Sequence, residues 1–146
     1  MSGQRVNRAS GFSMIEVLIA VVVLAVGLLG LGALQTVSFR NNHSAYMRSQ
    51  ATVMAYDMMD KMRIDRARAL GGAYNLAISA DPPSGSSFAA GQLTAWIQDL
   101  TGLLPSGDGA VNCVPLTELC LVTVQWDDSH GLAGSSSQQV QVTARL

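Results

Sequence analysis

From Val17 to Leu34 the chain runs for 18 residues without a charge, VLIAVVVLAVGLLGLGAL. At about 1.5 Å of rise per residue such a helix covers roughly 27 Å, close to the hydrocarbon thickness of a bilayer. The pattern predicts a membrane-spanning helix with one carboxylate, Glu16, at its start. Beyond Leu34 the sequence turns polar, yet it contains no proline or glycine until Gly71. With nothing to break it, the helix is expected to continue to about Leu70, which from Phe12 amounts to roughly 88 Å. In this second half Met47, Ala51, Met54, Met58 and Met62 recur at steps of three and four and form one stripe. Arg48, Asp57, Asp60, Lys61, Arg63 and Asp65 mostly fall on other faces. The stripe is expected to be core packed against a sheet, and the Asp57, Lys61 and Asp65 spacing gives i,i+4 ion pairs worth a few tenths of a kcal/mol each.

Gly71-Gly72 is expected to end the helix, and SADPPSGSSFAAG over residues 79–91 reads as a loop. Leu93, Trp96, Ile97, Leu100 and Leu104 then return at helical spacing until Pro105, predicting a short amphipathic helix with Trp96 as a packing anchor. After a turn at Ser106-Gly107-Asp108-Gly109 the period changes to two. Cys120, Val122, Val124 and Trp126 share one strand face, and Val140, Val142, Ala144 and Leu146 share another, with Asp127 to Ser137 as the turn between them. A further strand near Ala110 to Val114 completes a small antiparallel sheet whose apolar face is expected to lie on the methionine stripe. The fold class is therefore α+β. Cys113 and Cys120 enclose only six residues, and a disulfide between them is the expected state.

Composition narrows the function. The 146 residues, 49% of them hydrophobic, fit one small domain plus the apolar segment. Nine basic against ten acidic residues leave a net charge of −1, which argues against a surface built for nucleic acid. His43 has no second histidine or cysteine nearby in the sequence and reads as a solvated residue, and the glycosylation triplet Asn42-His43-Ser44 on a helix is taken as chance. Asp127, Asp128 and His130 lack an EF-hand pattern, so no metal or other cofactor is expected. No nucleophile, base and orienting group stand together, there is no G-x-S-x-G, and no Gly-rich phosphate loop follows a strand, so catalysis is not expected.

The amino terminus carries a more specific signal. Residues 1 to 10, MSGQRVNRAS, contain Arg5 and Arg8 and no acid, which by the positive-inside tendency holds this end in the cytoplasm. An ordinary secretory signal would have a shorter apolar region and a small-residue cleavage site at its far end, and the candidate site around Gly32 and Ala33 is a poor match. The string Gly11-Phe12-Ser13-Met14-Ile15-Glu16-Val17-Leu18-Ile19-Ala20, following a basic leader and heading the span, resembles the prepilin signature of type IV pilins and type II secretion pseudopilins. The resemblance implies a type IV pilin-like fold, with a leader at residues 1–11, a long helix at 12–70 and a periplasmic head at 71–146. It implies cleavage by prepilin peptidase between Gly11 and Phe12, methylation of the new Phe12 terminus, and Glu16 as the family's glutamate four residues further on. The proline usual near the end of the family's first apolar stretch is replaced around Ala33, and Gly27, Gly30 and Gly32 are expected to loosen the helix instead.

A carboxylate near the end of a membrane segment needs a partner. Cleavage creates one, because the ammonium of Phe12 can pair with Glu16 of a neighbouring subunit and set the register of assembly, or with Glu16 of its own chain. The resemblance extends, through GLLGLGALQ, the methionine-rich continuation and the VTVQW…QVQVTARL ending, to minor pilins of the PilV kind. It implies a structural subunit that acts with other major and minor pilins and the inner-membrane assembly platform in priming a pilus for adhesion and twitching motility. The expected location is the bacterial inner membrane, amino end inside and head in the periplasm, and then the pilus. A minor pseudopilin of a type II secretion system is the alternative, and a soluble periplasmic binding module cut near Ala33 is a second.

Overall fold

The computed structural model describes residues 11–146; Arg5 and Arg8, expected to belong to a leader, lie outside the described part. The chain divides into two compact units, Met1–Ser38 and Phe39–Leu146. Six elements follow one another: α1 (Met14–Ile64), α2 (Arg66–Leu70), α3 (Phe88–Leu103), β1 (Asp108–Val114), β2 (Leu119–Trp126) and β3 (Gln138–Arg145).

In the first unit, α1 passes through Gly27, Gly30 and Gly32 without a break in its helical assignment. Its apolar side chains are exposed throughout, and its 18-residue window of mean hydropathy 2.9 has no buried residue. A soluble protein does not leave such a surface in water. Length and composition fit membrane anchoring.

The second unit is built on the remainder of α1. Met47, Ala51, Met58 and Met62 of the expected stripe are buried, and Met54 is packed against the core. Ala55 and Met59 are buried as well, so the covered face is wider than the sequence spacing indicated. The helix ends sooner than expected, at Ile64, because Asp65 leaves helical geometry (φ −112°, ψ 42°) and its carbonyl starts α2 by accepting from the Arg68 and Ala69 amides. Aspartate competes with the backbone for hydrogen bonds and is a weak helix former. Its carboxylate here also accepts from the Tyr74 hydroxyl at 3.4 Å. Burial, reinforced by the Asp65 charge, raises the Tyr74 pKa above the ordinary phenol value, so the neutral form is held in the core. Gly72 then reverses the chain at φ +84°, a conformation that costs a side-chain-bearing residue but not glycine.

Ser87 caps α3 by accepting from the Ala90 amide at 3.2 Å, which starts that helix at Phe88, five residues before its first periodic leucine. The Trp96 ring is fully buried, and its N–H donates to the Met54 carbonyl of α1 at 3.0 Å. This bond ties the two helices across the core. The sheet is antiparallel in the order β1-β2-β3. β1 begins at Asp108, inside the expected turn, since Gly109 pairs with Val124. Only glycine fits there, because a Cβ would run into the Trp96 ring. Leu76 exchanges two 2.9 Å backbone bonds with Val111 and closes the outer edge of β1. β3 forms the opposite edge, and its inward residues Val140, Val142 and Ala144 are half-buried where the corresponding β2 residues are buried.

Cys113 and Cys120 sit directly opposite each other in the β1-β2 register, with Cα atoms 4.0 Å apart, and are joined by a disulfide. The bridge staples the hairpin next to Met62, whose sulfur lies 3.9 Å from the Cys113 sulfur. Replacing both cysteines by serine is expected to lower head stability by about 2 kcal/mol, the loop-closure entropy of so short a ring. Urea melts of oxidised wild type and of the double variant check this, and identical midpoints would refute it.

Candidate functional site: exposed backbone ahead of an apolar helix

Gly11, Phe12 and Ser13 are non-helical and exposed. Helical bonding begins at the Ser13 carbonyl, which accepts from the Glu16 amide at 3.0 Å and the Val17 amide at 3.2 Å. The Gly11–Phe12 peptide bond is thus irregular, accessible backbone immediately before a helix, the state a peptidase requires of its substrate. A Cβ added to Gly11 would have nothing within 4 Å. The fold itself places no demand on glycine at that position.

Glu16 stands in the first turn of α1. There its charge faces the positive end of the helix dipole, a local source of stability of up to about 1 kcal/mol that sequence spacing alone did not reveal. Phe12, Glu16, Val17, Ala20, Val21 and Leu24 line one groove of about 510 Å³, so the acid and the residue that would become the new terminus share one otherwise apolar face. Apart from Phe12, which precedes the helix, the side chains lining it share one stripe of α1. Within this chain no described group is hydrogen-bonded or ion-paired to Glu16 by its side chain.

The remaining sequence candidates are placed elsewhere. Cys113 and Cys120 are structural, within the hairpin. Among the described residues no cluster of three or more His, Cys, Asp or Glu side chains is arranged to hold a metal ion. Asp127 accepts from the Ser129 amide at 2.8 Å, and that bond, followed by the Ser129 side chain, lowers its pKa below the ordinary carboxylate value. Asp128 is buried and accepts a hydrogen bond from the Ser44 hydroxyl, a contact between residues 84 apart that no local pattern announces.

Residues 6–32 match the model of the prokaryotic N-terminal methylation motif. No curated protein and no solved structure matches the chain. The motif is of the type IV prepilin kind, and what it shows of this chain is a pilin-like or pseudopilin-like amino terminus. The long amino-terminal helix followed by a short helix and a three-stranded antiparallel sheet is consistent with a type IV pilin-like fold.

Proposed function

We propose that this chain is a minor pilin, cut between Gly11 and Phe12, methylated on Phe12, and incorporated through its apolar helix at the start of a type IV pilus that serves adhesion and twitching motility. The carrying observation is the combination of the methylation motif at residues 6–32 with the apolar part of α1, residues 14–38, which is exposed along its length and bears a single acid, Glu16. Such a helix needs lipid before assembly and other apolar helices afterwards. In that setting an unpaired carboxylate costs about 2 to 3 kcal/mol, less near an interface, and the ammonium of Phe12 on an adjacent subunit offsets the cost. The structural role proposed here is assembly, without catalysis.

A minor pseudopilin of a type II secretion system shares the same amino terminus. Neighbouring genes separate the two: other minor pilins with a large tip adhesin favour the pilus, a secretion-gate operon the pseudopilin. The experiment on the chain itself is Glu16→Ala. The head core lies in Phe39–Leu146, so the variant is expected to keep its disulfide and its thermal transition while its amount in sheared pili falls at least tenfold. Unchanged incorporation would contradict the pairing. Comparison with Glu16→Gln removes the charge while keeping the shape, and it is expected to fail in the same way.

A further inference from the structure

The two edges of the sheet are finished differently. On β1 the outward amides are all taken: Gly109 donates to the Asp108 carboxylate at 2.7 Å, Val111 to the Leu76 carbonyl at 2.9 Å, and Cys113 to the Asn75 side-chain oxygen at 2.9 Å. Because Val111 gives its N–H and C=O to Leu76, its pair with Val122 is a non-hydrogen-bonded one, and the alternation of an antiparallel ladder then fixes the rest. Val122 turns its backbone groups to Val142, so Val140, Val142 and Ala144 bond to β2, while Gln139, Gln141, Thr143 and Arg145 turn their N–H and C=O groups away from the sheet. Among the described residues no backbone group outside β2 bonds to Gln138–Arg145. The outer edge of β3 is thus an open row of donors and acceptors.

Sheet edges are commonly guarded by a lysine, a proline, a bulge or a very short strand. β3 has none of these guards. Its eight residues include no proline or lysine and pair with β2 without a break in register. Its one charge, Arg145, stands at the end and donates back to the Thr117 carbonyl at 3.3 Å. On the core side Val140, Val142 and Ala144 are half-buried, whereas Val122 and Val124 of β2 are fully covered. One more strand would cover β3 as β3 covers β2. We infer that the outer edge of β3 accepts a strand from the head of a different pilin-like subunit, with apolar side chains beside Val140, Val142 and Ala144 and an acidic one beside Arg145. The inference rests on the pilin reading above. A second copy of this chain is a poor occupant, since its β1 edge is already closed. Antiparallel pairing of β3 with β3 about a two-fold axis would also point the two α1 helices in opposite directions, whereas subunits assembled through that helix share one direction.

The test of the edge uses the full chain in detergent and a fluorescein-labelled peptide as long as β3, with valine at alternate positions, threonine between them and one glutamate. The peptide is expected to bind and to slow amide exchange at Gln139, Gln141 and Thr143, leaving Gly109 and Val111 unchanged. Gln141→Pro removes one outward donor at an edge, where proline is tolerated, and is expected to weaken binding about tenfold while the head still melts cooperatively. The same peptide methylated on alternate amide nitrogens cannot donate, and it is expected not to bind the unaltered chain. Equal binding of the methylated peptide, or of the parent peptide to folded Gln141→Pro, would overturn the edge. For the occupant, a photo-crosslinking residue at position 141 in cells is expected to capture a different protein that bears the methylation motif. A crosslinked dimer of this chain alone would overturn that choice. The two readings fail separately: a mature terminus near Leu34 removes the pilin reading whatever the peptide does, and a peptide that ignores β3 in a correctly processed chain removes this inference alone.

Discussion

Trp96→Ala is expected to leave the head only marginally stable at ambient temperature. The ring is fully buried in the core that also holds Leu93, Leu100 and Met58, it lies against Gly109, and its N–H donates to the Met54 carbonyl. Truncation leaves a cavity the size of an indole and removes a bond between two elements, a loss of about 3 to 5 kcal/mol. Small domains have about 5 to 15 kcal/mol in all, and this one has a modest core, so little would remain. Gly109→Ala attacks the same contact from the other side, since its Cβ would enter the space of the ring. The ring is fully buried, so overpacking of about 1 to 3 kcal/mol is expected. Near-ultraviolet circular dichroism and urea melts measure both. A cooperative melt with an unshifted midpoint in either variant would show that the interlock is not what holds the head.

Gly11→Val is expected to abolish processing while leaving the molecule folded. The two halves of that expectation have different origins. An added side chain at position 11 meets nothing within 4 Å, so folding is indifferent to it. The peptidase, by contrast, must bring the Gly11–Phe12 bond to its catalytic groups, and a branched side chain beside the scissile bond stands in the way. A fully precursor-sized band with a normal head melt is the predicted pattern. Normal maturation of the variant would remove Gly11 from the cleavage site.

Much of this was legible along the chain because the deciding signals are periodic or local. The uncharged run to Leu34 announces its helix by length, Cys120 to Trp126 announce their strand by alternation, and the cysteine pair announces its staple by spacing. What stayed hidden depends on partners distant in sequence. Asp65 ends α1 without a proline or glycine, aided by Tyr74, nine residues on. Ala55 and Met59 join the buried face because Trp96 and the sheet cover a wider sector than a single stripe. His43 and His130, each unremarkable in its own stretch, line one cavity only because Ser44 and Asp128 meet. The methylation motif was readable for the opposite reason, as its residues are consecutive.

The central claim is that the apolar helix is retained and begins the mature protein. Mass analysis of the amino terminus of the chain recovered from sheared pili tests it most directly. The account predicts a terminus at N-methylated Phe12, with Glu16 four residues beyond it. A mature chain that begins near Leu34, its helix start discarded, would contradict it.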